Sequence, residues 1–76
     1  MKVKCVRAEI RTSEKDGSDY IAAVVLHPDG QTASRVYLRD DVCDLNDVEV
    51  GHVYDMYLDK NGYVLYFEKV RPAKDN

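Results

Sequence analysis

Tryptophan is absent from this chain, phenylalanine occurs once, and there are only two prolines and two cysteines. Each scarcity excludes something. Cys5 and Cys43, in an otherwise ordinary composition, do not make a disulfide framework. Zinc sites need clustered Cys and His ligands, and here such residues are scattered singly. No apolar stretch is long enough to cross a membrane. The opening Met1–Val6 lacks the apolar run of a signal peptide. The expectation is a cytoplasmic protein with reduced cysteines, no membrane partner, no metal and no cofactor.

With 76 residues the chain makes one domain at most. Domains this small bury a modest fraction of their surface, so self-association is a natural source of further burial. The formal net charge of −3 argues, taken alone, against nucleic acid, because phosphate binding needs clustered Lys and Arg. The charges are segregated, however. Lys2, Lys4, Arg7, Arg11 and Lys15 occupy the first segment, while Asp40, Asp41, Asp44, Asp47 and Glu49 crowd a central loop. A basic face is compatible with that total.

Alternation of apolar and polar residues dominates the chain, which is the signature of strands. Over residues 2–11, Val3 and Cys5 oppose Lys2 and Lys4; the phase then slips, so that Val6, Ala8 and Ile10 oppose Arg7, Glu9 and Arg11. A one-residue slip of this kind predicts a β-bulge that bends the first strand, as a small barrel requires. Residues 12–19 are turn-formers around Asp16-Gly17. Tyr20–His27 reads as a strand, Pro28-Asp29-Gly30 as a turn, and Thr32–Leu38 as a third strand. Residues 39–51 form a long loop, or one short helical turn capped by Asp40 or Asp41. His52–Leu58 and Tyr63–Val70 make a final hairpin about Asn61-Gly62, stopped by Arg71-Pro72. The expected fold is all-β: a small five-stranded OB-like barrel over residues 1–72, with a polar tail at 73–76. An SH3-like barrel is the alternative.

No residue set meets the demands of a minimal catalytic site. His27 and His52 stand at strand ends with no Ser or Cys at a telling spacing. The acid cluster lacks the ligand pattern of a calcium loop. The six tyrosines are more informative. Tyr37 shares an outward face with Arg35, opposite the apolar Val36 and Leu38. Tyr20 follows the loop that holds Lys15, and Tyr63 follows the hairpin tip that holds Lys60. Rings beside cations on sheet faces and loop tips suit a single-strand platform, where bases stack on the rings and cations follow the phosphates. The same Tyr-rich surface also suits a protein-interaction module on an OB- or SH3-like barrel, with the acid cluster docking a basic partner.

The order of features resembles that of the filamentous-phage single-stranded DNA-binding proteins, which are small helix-destabilising OB-fold dimers. The chain opens with Met1-Lys2-Val3-Lys4. A basic stretch ending at Arg11 leads through a polar loop to Gly17-Ser18-Asp19-Tyr20, similar to that family's DNA-binding wing. Gly51-His52-Val53-Tyr54 resembles its entry to the fourth strand, and Pro72-Ala73-Lys74 its ending. The resemblance implies a homodimer that coats single-stranded DNA during replication of a phage or mobile element in a bacterial cytoplasm; RNA is the related ligand. It makes Tyr20 the wing tyrosine, Arg11 and Lys15 the wing cations, Tyr63 the aromatic of the last hairpin and Lys69 a basic residue of the last strand. Two departures stand out: the last hairpin loop is shorter here, and the wing carries Glu14, Asp16 and Asp19. The expected nucleic-acid-binding set is Arg11, Lys15, Tyr20, Arg35, Tyr37, Lys60, Tyr63 and Lys69.

Overall fold

The alternating segments form five strands: β1 (Lys2–Thr12), β2 (Asp19–Leu26), β3 (Ala33–Arg39), β4 (Val53–Leu58) and β5 (Val64–Lys69). The computed structural model describes residues 1–70. The strand stop at Arg71-Pro72 and the polar tail expected at 73–76 lie outside the described residues. The strands make one antiparallel sheet in the order β3-β2-β1-β4-β5. Three consecutive strands with the fourth returned beside the first is a Greek key, the connectivity of the OB-like barrel expected from the sequence. The edge strands β3 and β5 approach each other without joining in a ladder, so the barrel is partly open.

The phase slip in β1 is a bulge. Cys5 pairs with Val25 and Arg7 with Val24, which leaves Val6 without a partner. Strand direction changes there, and β1 serves two neighbours: Lys4–Thr12 run along β2, and Lys2–Lys4 along β4. Before the bulge the odd positions Val3 and Cys5 point into the core. After it the even position Ala8 packs on the core, and Arg7, Glu9 and Arg11 face outward. Ile10, on the inner side, is 63% exposed, because the β1–β2 hairpin runs on past the end of the core.

Local chemistry sets the turns. In the β1–β2 turn Gly17 has φ +74°, a left-handed conformation that favours glycine. Asp29 holds the β2–β3 turn by accepting from the N–H groups of Gln31 and Thr32 and from the Thr32 hydroxyl, which brings its pKa down to about 2. The β3–β4 connection contains a single 3-10 turn, Leu45–Asp47. Its cap is Asp44, which accepts from the Asn46 N–H at 2.9 Å, rather than Asp40 or Asp41. Those two lie in the turn that directly follows β3, where the Val42 N–H donates to the Arg39 carbonyl at 3.0 Å, upstream of the 3-10 turn.

The core is apolar throughout: Val3, Cys5, Ile21, Ala23, Val25, Val36, Leu38, Tyr54, Met56, Val64 and Phe67. Cys5 is buried and Cys43 half-buried, both as free thiols that burial pushes up in pKa. Tyr54 ties the core to the long connection. Its ring stacks on Phe67 at 4.4 Å, and its hydroxyl accepts from the Glu49 N–H at 2.7 Å while donating to the Asp47 carbonyl at 2.6 Å. Burial raises its pKa. Tyr54→Phe keeps the ring and removes both bonds. It should destabilise the fold by about 1–3 kcal/mol, which calorimetry reads at roughly 4–8 °C of Tm per kcal/mol for a domain of this size. An unchanged Tm would mean that the hydroxyl does not hold the connection.

Candidate functional site

The outer face of β1, β2 and β3 is laid out in rows by the strand register. Arg11 pairs with Tyr20, and Tyr20 with Arg39. Glu9 pairs with Ala22, and Ala22 with Tyr37. Arg7 pairs with Val24, and Val24 with Arg35. Side chains opposite one another in adjacent strands touch, so β1 and β3 each present two arginines on either side of β2. Between the arginines, β2 offers only Tyr20, Ala22 and Val24. Small residues there leave a trough of about 200 Å³ bounded by Arg7, Arg11, Arg35 and Tyr37.

Two further hollows continue the trough. One, of about 710 Å³, lies between the β1–β2 turn and the sheet, with Lys15, Tyr20, Tyr37 and Arg39 around it. The other, of about 390 Å³, lies between β3 and the β4–β5 turn, bounded by Tyr37, Arg39, Asp59 and Tyr63. Tyr37 borders all three. It meets Tyr20 edge-on, with ring centroids 6.1 Å apart and planes at 64°. Tyr37 is 54% exposed and Tyr63 70%. In an edge-on pair the edge of one ring meets a face of the other, so the open ring surface is that of the more exposed Tyr37 together with the uncovered side of half-buried Tyr20.

The face is electrostatically one-sided. Its only acid among the three rows is Glu9, which accepts from Arg11 at 3.3 Å. Arg39 reaches Asp41 at 3.4 Å. Both pairs are exposed, and exposed ion pairs hold their partners by only about 0–1 kcal/mol, so a polyanion can displace them. Of the wing acids, Glu14 and Asp16 border the second hollow, while Asp16 and Asp19 are engaged locally. Asp16 accepts from the N–H and hydroxyl of Ser18, which lowers its pKa, and Asp19 accepts from the Thr12 hydroxyl at 2.9 Å.

Arg11, Lys15, Tyr20, Arg35 and Tyr37 of the expected set therefore come together on one surface. Tyr63 adjoins it across the third hollow, and Lys60 sits exposed on the same turn. Lys69 does not join them. It donates to Glu49 at 3.0 Å, beside His52, which lies 3.1 Å from the same carboxylate. Glu49 is thereby held below its usual pKa, first by the Lys69 hydrogen bond. Lys69 lines a separate hollow beneath the β3–β4 connection, in the company of Asp44, Asp47 and Glu68. Arg7 and Arg39 belong to the basic face and were absent from the expected set. Both could be found from alternation: Arg7 is in phase with Glu9 and Arg11 after the bulge, and Arg39 continues the Arg35, Tyr37 series by one step.

The outer surface of β4 and β5 has the opposite character. Tyr57 and Tyr66 lie 5.5 Å apart, with the acids Asp55 and Glu68 in the neighbouring row and Val53 beyond them. Among the described residues no cluster of three metal-ligating side chains occurs, and no helix is long and apolar enough to cross a membrane. No family model, curated protein or solved structure matches the chain.

The bulge absorbs Val6 and bends β1 between its two neighbours, and this can be tested directly. Deleting Val6 would put Val3, Cys5, Ala8 and Ile10 in simple alternation with Arg7, Glu9 and Arg11 still outward, but would remove the bend by which β1 passes from β4 to β2. The deletion should abolish cooperative unfolding followed by circular dichroism. Val6→Ala retains the extra residue and should stay within about 1 kcal/mol of the parent. A deletion variant that folds as stably as the parent would show that barrel closure does not need the bulge.

Proposed function

We propose that the protein binds single-stranded DNA without strong sequence preference, using the outer face of β1, β2 and β3. The observation that carries this reading is the row of four arginines on either side of Tyr20 and Tyr37, in a chain whose net charge is negative. Arg7, Arg11, Arg35 and Arg39, with Lys15 on the wing, supply phosphate contacts. Tyr20, Tyr37 and Tyr63 supply stacking surfaces, each worth about 1–3 kcal/mol per base. The strand 2–3 face and the loops after strands 1 and 4 are where OB-type barrels bind oligonucleotides. The resemblance to the filamentous-phage proteins agrees with this reading and suggests phage or mobile-element replication as its setting.

The outer surface of β4 and β5 supports a second part of the proposal, a homodimer. Tyr57 and Tyr66 are exposed side by side on a domain too small to bury much surface alone.

Two measurements test these statements. Fluorescence anisotropy with a labelled oligo(dT) should show saturable binding that weakens steeply with salt. For four or five phosphate contacts, a fourfold rise in salt should cost roughly 50- to 130-fold in affinity. Tyr37→Ala should weaken binding by about 1–3 kcal/mol at every salt concentration. Arg35→Ala should flatten the salt slope by about 0.7. An absence of binding at low salt would end the single-strand reading. In sedimentation equilibrium the parent should run at twice the chain mass and Tyr57→Glu at the chain mass; a parent that stays monomeric at all concentrations would remove the dimer.

A further inference from the structure

The hollow between the two free sheet edges differs from the rest of the basic face. On its β3 side stand Tyr37 and Arg39; across from them stand Asp59, Tyr63 and Leu65. Tyr63 packs on no other ring among the described residues, whereas Tyr37 rests edge-on against Tyr20. Asp59 is fixed by the turn it begins. Its Oδ1 accepts from the N–H groups of Asn61 at 2.8 Å and Tyr63 at 2.9 Å, and its own N–H donates to the Tyr63 carbonyl at 2.8 Å. Its Oδ2 has no protein donor among the described residues.

A carboxylate only accepts hydrogen bonds, and it repels phosphate. The part of a ligand that meets Asp59 must therefore be a hydrogen-bond donor and not an anion, while Arg39 opposite can donate to an acceptor. In a single strand that group is a base edge. Cytosine presents an N4 amino donor, which Asp or Glu accepts from in base recognition, whereas thymine carries the O4 acceptor at the same place. There thymine would set a lone pair against the carboxylate, and its one donor, N3–H, is flanked by the O2 and O4 lone pairs.

We infer that the cleft takes one base of the bound strand between Tyr37 and Tyr63, and that Asp59 makes it favour a base with an exocyclic amino group, cytosine over thymine. The inference rests on the proposed single-strand function and lays a modest base preference over otherwise non-specific binding. Arg39, on the opposite wall, donates to a base oxygen or to the adjoining phosphate.

The test is a comparison of oligo(dC) with oligo(dT) of equal length, at mildly alkaline pH where oligo(dC) stays unfolded, by anisotropy with the full-length protein. Oligo(dC) should bind about three- to tenfold more tightly, the range of one hydrogen bond. Asp59→Asn keeps an oxygen acceptor for the turn and removes the carboxylate. Losing a negative charge strengthens binding of any polyanion, so the ratio of the two affinities is the readout, and it should fall to about one. Tyr63→Ala should weaken both ligands and also shrink the ratio. Equal binding of the two oligonucleotides by the parent, or a ratio that persists in Asp59→Asn, would overturn the inference and leave the single-strand reading intact. Failure of both oligonucleotides to bind would overturn the two together.

Discussion

Most of this structure depends on the one extra residue in β1. A strand has a side-chain period of two, so a one-residue insertion exchanges its faces from that point onward. Val6 is that insertion. Upstream of it, Lys2 and Lys4 face solvent while Val3 and Cys5 fill the core. Downstream, the arginines keep to the outside although their parity has changed. The same kink lets β1 leave β4 and continue along β2, which is how five short strands curl into a barrel. Closure of the core thus rests on that kink.

A second constraint is the separation of charge between faces. The five acids of the β3–β4 connection help to make the total negative, yet apart from Asp41, which pairs with Arg39, they lie away from the β1–β3 rows. Several are spent on local structure: Asp44 caps the 3-10 turn, and Glu49 pairs with Lys69 and His52. Among the described residues, only Arg11 and Arg39 of the basic face are neutralised, by Glu9 and Asp41, in exposed pairs that a polyanion can displace. The local field at the trough is therefore positive while the sum is negative.

The fold was largely legible in the sequence because its signals are local. Alternation located all five strands to within a residue or two, Asp16-Gly17 and Asn61-Gly62 marked two turns, and the phase slip marked the bulge. Long-range effects were less visible. Ile10 has the right phase for the core but lies where the hairpin outruns it, and no pattern along one strand reveals where the partner layer ends. The cap at Asp44 depends on where the chain turns after β3. Lys69 was assigned by resemblance to a position on the last strand, whereas its partner, Glu49, is set by the packing of the connection against β5. Tyr54 and Tyr37 are the same residue type on alternating strands. Only tertiary packing makes one a buried strut and the other an exposed ring.

The arginines on β1 and β3 are separated by β2 alone. Neighbouring strands lie about 4.8 Å apart, so the two lines of cations are roughly 10 Å from each other. That width is dictated by backbone hydrogen bonds, and no side-chain replacement alters it. A groove of this width leaves room along β2 for a single extended chain between the two lines. The residues that line it can change one by one; the spacing of the lines is set by the sheet itself.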